Sequence, residues 1–180
     1  MDLRTLIGPL VGDHAAQLQG TEHGLTTTET RRLQQLQPRI EAACDELALS
    51  GPPLALEHGD LWASNVYVAD DRVEFIDWKD ASIAHPFFSL MPLLVSAAWD
   101  SELSRVPEAQ QRIADSCLSK WTAYAAPERL QRALAVARPL AAIHIAATYW
   151  RDNPQPHSQW WMERMVPFFL RLALAEWDRL

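Results

Sequence analysis

Three residues in the first half of the chain carry side chains that can bind a metal ion or accept a proton. Asp60 and Asn65 lie in the segment LEHGDLWASN, and Asp77 follows in the segment FIDWKD. Carboxylate and amide oxygens suit Mg²⁺, a hard cation that prefers oxygen ligands, and a carboxylate can also take a proton during a reaction. The residue types therefore predict a magnesium site with a proton acceptor beside it.

A predicted β-hairpin explains how these residues come together. Residues 66–68 and 72–76 are short runs of β-branched and aromatic residues, and residues 69–71 between them are typical of a turn. Because a hairpin returns the chain to its starting end, we expect Asn65 and Asp77 at the same end of the ribbon. Asp60 is then expected on the loop that leads into that end.

The rest of the chain is predicted to be mainly helical. Thr26 and Glu29 form a capping box at the start of a helix over 27–49, which Gly51 and the two following prolines end. Further helices are expected at 87–99 and at 107–125, the second beginning with Pro107. Residues 1–25 contain four glycines and a proline, and they are expected to be irregular.

Two later helices contain internal prolines. Residues 127–151 are predicted to be helical with a kink or a split at Pro139, and residues 158–178 with a bend at Pro167. Residues 153–156, with the sequence NPQP, separate the two helices. The fold class expected from the residues is mainly α with one short β-hairpin, within a single domain over 1–180.

Composition narrows the possible partners. The chain has 16 Lys and Arg against 23 Asp and Glu, a net charge of −7 and no basic run, so we expect no nucleic-acid partner. No apolar run approaches the roughly 20 residues that span a bilayer, and the first residues do not resemble a signal peptide. A cytoplasmic protein with no membrane partner is therefore predicted. Cys44 and Cys117 lack metal-ligand spacing and are expected to be free, buried thiols.

The spacing of the polar residues resembles that of known kinases. Protein kinases place a catalytic aspartate before a metal-binding asparagine with four residues between the two, and a second metal-binding aspartate follows the next hairpin. Asp60, Asn65 and Asp77 follow the same order and interval. The version with glycine before the aspartate, HGDL followed by IDW, resembles the aminoglycoside phosphotransferase family. The HGDLW form also resembles its fructosamine-kinase branch.

This resemblance implies a fold and a set of roles. The fold would be the C-terminal lobe of a protein-kinase-like protein, with segment 54–81 as catalytic loop, hairpin and metal loop, and 87–178 as a helical subdomain. Asp60 would accept the proton of a small-molecule hydroxyl as it attacks the γ-phosphate of ATP. Asn65 and Asp77 would hold Mg²⁺ against the nucleotide. His58 would brace the loop through hydrogen bonds, and Gly59 would allow its tight backbone.

Two departures from the family pattern stand out. Ser89 occupies the position where many members carry an aspartate that supports the loop. In addition, nothing before residue 54 resembles the family's N-terminal nucleotide lobe, so that lobe is expected to be absent and residues 1–25 to lie near a hinge. The alternative to an ATP-dependent phosphotransferase is therefore a non-catalytic remnant that serves as a helical binding module. A helical adaptor is a third alternative, and it would show a large exposed apolar face.

Several other side chains have a structural and a functional interpretation. Asp80 could line a substrate cleft or make a structural hydrogen bond. His85 is expected to be a loop residue rather than a catalyst, and His144 a core histidine. A set of tryptophans is expected to pack between helices rather than stack on a substrate: Trp150, Trp160, Trp161 and Trp177.

Overall fold

The structure, a computed structural model, describes residues 3–99, 106, 108–152 and 160–180, without the side chains of 152 and 160–163. Within these residues the helices are α1 (Leu3–Gly12), α2 (Thr27–Ala48), α3 (Leu90–Trp99), α4 (Ala109–Leu118), α5 (Pro127–Asp152) and α6 (Trp160–Trp177). The strands are β1 (Ala55–Glu57), β2 (Val66–Ala69), β3 (Arg72–Phe75) and β4 (Ser82–Ala84). The predicted fold class, mainly α with a short hairpin, is confirmed.

The strands form two separate antiparallel pairs. The predicted hairpin joins β2 to β3, with Val66 opposite Phe75 and Ala69 opposite Arg72. The second pair joins β1 to β4, with Glu57 opposite Ser82, and it was not predicted from the sequence. Each of these strands has only three residues, and its partner is distant in the sequence, so no local pattern announces the pairing. Together β1 and β4 bring the two ends of segment 58–81 side by side.

The chain divides into two compact units. The first contains Met1–Leu47 and Ala135–Leu180, and the second contains Ala48–Leu134. The predicted single domain over 1–180, with a helical subdomain over 87–178, stays a prediction. The later boundary falls inside α5, where an unbroken helix offers no glycine-rich or polar linker that would signal it. All the predicted site residues belong to the second unit.

In the first unit, the prediction that residues 1–25 are irregular is wrong for α1. Leu3, Ile7 and Leu10 are almost fully buried at helical spacing, and their burial outweighs the cost of Gly8 and of a proline inside the helix. The buried Gln17 side chain donates from Nε2 to the carbonyls of Leu10 (3.1 Å) and Val11 (2.7 Å). This amide satisfies carbonyls that the end of a helix leaves without partners.

The start of α2 agrees with the predicted capping box. The Glu29 carboxylate accepts from the backbone amide of Thr26 at 2.7 Å, and the Thr26 hydroxyl accepts from the amide of Glu29 at 3.2 Å. Arg171 of α6 donates to Glu29 as well, at 2.9 Å. Burial acts to raise the pKa of Glu29, but the donors from Arg171 and Thr26 outweigh it and lower that pKa.

Helix α5 is continuous through Pro139, so the predicted split does not occur. The residues around this proline, Val136, Ala137 and Leu140, are completely buried, and their packing offsets the missing backbone hydrogen bond. His144 is buried in the same helix, as predicted. Trp177 is buried, whereas Trp150 is half-buried and donates to Asp13 at 2.8 Å. The side chains of Trp160 and Trp161, like the break at 153–156, lie outside the described residues.

In the second unit, α3 supplies a large share of the apolar core. Leu90, Met91 and Leu94 are buried, as is Phe87 in the short 3₁₀ turn that precedes the helix. The helix predicted at 107–125 is shorter, because α4 ends at Leu118 and a 3₁₀ turn over Ser119–Trp121 follows. Its predicted first residue, Pro107, lies outside the described residues. No described helix has both the length and the apolar character needed to cross a bilayer.

Candidate active site

The hairpin brings Asn65 and Asp77 to one end of the β2–β3 ribbon. Val66 pairs with Phe75, and beyond that pair the backbone amide of Ile76 donates to the carbonyl of Asn65 at 3.1 Å. Asn65 is therefore opposite Ile76, and Asp77 is the next residue along the returning strand. The turn at Asp70 occupies the other end of the ribbon.

Asp60 contacts the same end through Asn65. The side-chain Nδ2 of Asn65 donates to the carbonyl of Asp60 at 2.9 Å and lies 3.5 Å from its carboxylate Oδ2. Because only the nitrogen of an amide group can donate to these oxygens, the orientation of the Asn65 amide is fixed. Its Oδ1 oxygen is then the atom of this amide that could bind a cation. The Asp60 side chain is half-buried, so solvent or a ligand can reach it.

Asp77 has an uncommon backbone conformation and a cation beside it. Its φ of 62° and ψ of 55° are left-handed, a conformation that aspartate adopts more readily than most residues. The ammonium of Lys79 lies 3.4 Å from Asp77 Oδ2. Burial acts to lower the pKa of Lys79, but the carboxylates of Asp77, Asp80 and Asp60 outweigh it and raise that pKa. Three carboxylates therefore act on one ammonium, and the site carries a surplus of negative charge.

The oxygens of Asn65 and Asp77 fit a magnesium ion that is also bound by phosphate oxygens. Asn65 offers an amide oxygen and Asp77 a carboxylate, both of the oxygen type that Mg²⁺ prefers. Among the described residues, no three His, Cys, Asp or Glu side chains converge into a metal site of their own. Mg²⁺ usually keeps several waters and binds through one or two carboxylates plus phosphate oxygens. Two protein ligands at an exposed, negatively charged end match that pattern.

His58 links the Asp60 loop to the Asp77 strand. Its Nδ1 accepts from the backbone amide of Asp60 at 3.3 Å, so Nε2 carries the proton of the neutral ring and donates to the carbonyl of Ile76 at 2.8 Å. The ring also lies 4.5 Å from that of Trp78. The buried His58 ring therefore connects the carbonyl of Ile76, directly before Asp77, with the amide of Asp60. These contacts agree with the predicted bracing role.

Gly59 is required by its conformation and by its neighbour. Its φ of 80° is left-handed, and a Cβ built on it would lie 2.2 Å from the carbonyl oxygen of Asp80. The backbone of Asp80 therefore packs directly on the Asp60 loop. The charge of Asp80 also raises the pKa of Lys79. Asp80 therefore lies beside the site and supports the Asp60 loop through its backbone.

Two further residues support the loop, and the sequence did not single out either of them. Ser96 of α3 accepts from the backbone amide of Ala63 at 3.1 Å and donates to the carbonyl of Pro92. Glu57, at the end of β1, is almost completely buried although it carries a carboxylate. Nothing in the sequence beside HGD signals that Glu57 is buried, because an acid at that position resembles a solvated surface residue.

A cavity of about 660 Å³ lies between α3 and α4, and no predicted site residue lines it. Its wall is mostly apolar, with Arg112 and Lys120 among the lining residues. Cys117 lines it too, and burial raises the pKa of its thiol. Both cysteines are free, as predicted, but each is half-buried rather than buried.

His85 is a loop residue, as predicted, and it is buried and neutral. Its Nδ1 accepts from the backbone amide of Phe87 at 3.3 Å, and its Nε2 lies 3.1 Å from the hydroxyl of Ser50. Burial lowers the pKa of His85 to about 4. Between pH 6.5 and about 4 the unfolded chain therefore binds a proton at this residue that the folded chain does not bind.

This difference predicts a loss of stability in acid. From pH 7 to pH 5 the free energy of unfolding is expected to fall by about 2 kcal/mol through His85, at about 1.4 kcal/mol per pH unit below the unfolded pKa. His85→Asn retains an acceptor for Phe87 but does not titrate, so its stability should fall less over the same range. Denaturant unfolding of both proteins at pH 7, 6 and 5 measures the difference. Parallel pH profiles would contradict the prediction.

The architecture around these residues is that of a kinase-like fold. An ethanolamine kinase from Plasmodium vivax has a similar structure, with a TM-score of 0.63 and 12% sequence identity. The similarity covers 99% of this chain and 50% of that protein, so the chain spans half the length of that kinase. At this identity the likeness concerns the fold alone.

The sequence adds the family. The phosphotransferase enzyme family, APH, matches residues 5–131, well over half of the chain. The chain belongs to this family, which confirms the resemblance seen in the HGDL and IDW segments. A search of curated proteins finds no match to the chain.

Proposed function

We propose that this chain is the phosphoryl-transferring part of a kinase that moves the γ-phosphate of ATP to a hydroxyl of a small molecule. One observation carries the proposal. Asp60, Asn65 and Asp77 meet at one end of a hairpin in a member of the phosphotransferase family. Their oxygens and the surplus of negative charge suit a metal–nucleotide complex. The same proposal implies a cytoplasmic protein, since ATP is held there.

Each residue has a defined task in this proposal. Asp60 accepts the proton of the acceptor hydroxyl, and the amide of Asn65, 3.5 Å from its Oδ2, helps to orient that carboxylate. Asn65 Oδ1 and the Asp77 carboxylate hold Mg²⁺, which when bound neutralises charge on the phosphates. His58 keeps the backbone of Asp60 at a fixed position relative to Ile76. The Lys79 ammonium adds a positive charge beside the same phosphates.

A second candidate function rests on exposed apolar side chains. Val68, Val73 and Phe75 share one face of the hairpin and are 73%, 55% and 45% exposed, and Leu56 and Ile83 of the other pair are similarly exposed. Exposed apolar patches of this kind often mark a surface that binds another protein. A non-catalytic binding module would present the same surface without binding nucleotide. Nucleotide binding therefore distinguishes the two candidates.

Calorimetric titration with ATP in the presence and absence of Mg²⁺ tests the proposal. We expect heat of binding that depends on Mg²⁺ and a Kd at least about tenfold weaker in Asp77→Asn, as loss of a metal contact commonly costs 10–100-fold. Asp70→Asn is a matched control, because Asp70 also has a left-handed φ, 52°, and lies at the far end of the ribbon. No heat at millimolar ATP would contradict the kinase and support the binding module. Equal losses in both variants would contradict the metal site.

The acceptor class is proposed at the level of a small-molecule hydroxyl. Aminoglycosides, amino alcohols and sugars all offer such a group, and the structural relative is named for an amino alcohol. A panel with one compound of each kind, assayed for transfer of the γ-phosphate, identifies the acceptor class. Transfer to none of them, with normal binding of Mg²⁺ and ATP, would contradict a catalytic role for this chain.

A further inference from the structure

Glu57 holds a buried carboxylate between three hydrogen-bond donors. Its side chain is 2% exposed. Oε2 accepts from the backbone amide of Gly59 at 2.8 Å and from the hydroxyl of Ser89 at 3.2 Å. Oε1 accepts from the hydroxyl of Ser82 at 2.8 Å. Such a group is costly to bury unless it is well satisfied, and hydrogen bonds to a charged acceptor are the stronger kind.

The directions of these bonds are fixed by the neighbouring groups. The hydroxyl of Ser89 accepts from the backbone amide of His58 at 2.9 Å and donates to Glu57 Oε2 at 3.2 Å. The amide of Gly59 can only donate. Oε2 therefore accepts two hydrogen bonds, one from the Gly59 amide and one from the Ser89 hydroxyl. Ser89 occupies the position of the aspartate that supports the loop in many family members, and its hydroxyl links the Glu57 carboxylate to the backbone of His58.

The three donors come from three different segments. Gly59 directly precedes Asp60, Ser82 begins β4 just after the segment that contains Asp77, and Ser89 ends the turn before α3. One side chain thus ties the Asp60 loop to the strand that follows Asp77. Gly59 is also fixed on its other side, where it packs against the carbonyl of Asp80. The position of Asp60 relative to Asp77 depends on this junction.

We propose that Glu57 is a positioning residue of the phosphoryl-transfer site, whose carboxylate sets the place of Asp60 relative to Asp77 by holding the amide of Gly59. The catalytic part of this inference rests on the proposed function, whereas the bracing part does not. Glu57 does not reach the reacting atoms. It acts through the backbone of Gly59 and His58.

Amide NMR of the wild-type protein tests the brace without any variant. A buried amide bonded to a carboxylate is expected to exchange with solvent at least a hundredfold more slowly than the exposed amide of Asp71 in the hairpin turn. Exchange of Gly59 at the rate of that turn would overturn the brace. This measurement requires no activity, so it separates failure of the brace from failure of the proposed function.

Glu57→Gln tests the link to catalysis. The amide keeps the size of the side chain but has only one acceptor oxygen for three donors, so exchange at Gly59 should quicken about 10- to 100-fold. We expect kcat to fall about tenfold or more, while the Kd for Mg²⁺ and ATP changes less than threefold. Ser82→Ala is the matched control, since it removes a donor to Oε1 without touching Gly59, and it should leave exchange at Gly59 within threefold.

A relocated carboxylate distinguishes positioning from general stability. The double variant Glu57→Gln/Ser89→Asp moves the carboxylate from residue 57 to residue 89. In the wild-type protein the hydroxyl of Ser89 contacts the His58 amide, so an aspartate at this position is expected to reach the same amide. We expect this double variant to recover at least fivefold in kcat over Glu57→Gln. If Glu57→Gln leaves both kcat and the exchange of Gly59 within twofold of wild type, the positioning role is wrong. Normal kcat with fast exchange would leave a brace without a catalytic part, and would also contradict the proposal.

Discussion

Asp60→Asn is expected to lower kcat for transfer of the γ-phosphate by about 10²–10⁴-fold, the usual contribution of a positioned proton acceptor. The substitution keeps the shape of the side chain and its proximity to Asn65 Nδ2, which lies 3.5 Å from the carboxylate. It removes the ability to take the proton of the attacking hydroxyl. Binding of Mg²⁺ and ATP should stay within about threefold, because the metal is held by Asn65 and Asp77.

The measurement is a steady-state assay with a saturating acceptor, combined with calorimetry of nucleotide binding. Asp71→Asn provides the control, since it removes the same charge from an exposed residue in the hairpin turn. A loss of nucleotide affinity in Asp60→Asn as large as the loss in kcat would assign Asp60 to metal binding. A kcat within threefold of wild type would remove it from catalysis altogether.

Gly59→Ala is the second substitution with a large expected effect. It places a Cβ in a left-handed backbone conformation and 2.2 Å from the carbonyl oxygen of Asp80. Strain at such a φ costs about 1–3 kcal/mol by itself, and the collision requires the Asp60 loop or the Asp80 backbone to move. We expect the free energy of unfolding to fall by about 3 kcal/mol, and kcat to fall at least as strongly as in Glu57→Gln.

Gly20→Ala separates the two causes of this effect. Gly20 has nearly the same φ, 84°, but nothing lies within 4 Å of the Cβ that it would gain. Its substitution should therefore cost only the backbone strain, about 1 kcal/mol. Denaturant unfolding of both variants gives the comparison. Equal losses of stability would mean that the contact between Gly59 and Asp80 contributes nothing.

Local sequence patterns were sufficient to predict the elements that depend on contacts between residues close in the chain. The capping box of Thr26 and Glu29 acts within one helical turn, and the hairpin is defined by two adjacent β-branched runs and the turn between them. Because a hairpin has only one open end, the neighbourhood of Asn65 and Asp77 followed from the chain order. His58 as a brace followed from its place in the loop.

The parts that were missed depend on residues distant in the sequence. Strand β1 exists through its pairing with β4, and α1 exists because Leu3, Ile7 and Leu10 are buried despite a glycine and a proline. The three residues of β1 do not reveal its partner strand, and the ten residues of α1 do not reveal that one face of the helix is buried. Pro139 likewise stays within a helix because its surroundings are fully buried. Glu57 was overlooked because an acid before HGD resembles a solvated surface residue until its donors from Ser82 and Ser89 are known.

In the proposed kinase, one divalent cation is expected at the open end of the β2–β3 hairpin, between Asn65 and Asp77. A titration with Mn²⁺ and ATP tests this most directly, because the broadening of NMR signals by paramagnetic Mn²⁺ falls steeply with distance, so that substoichiometric Mn²⁺ broadens the nearest groups first. At the lowest Mn²⁺ we predict loss of the Asn65 side-chain amide signal and of the backbone signals of Asp60 and Asp77, while the signals of Asp70 and Asp71 lose much less intensity. The turn lies about four residues away along the ribbon, or roughly 13 Å at about 3.3 Å per residue. Equal or stronger broadening at the turn, or none at Asn65 and Asp77 with nucleotide bound, would contradict this position of the cation.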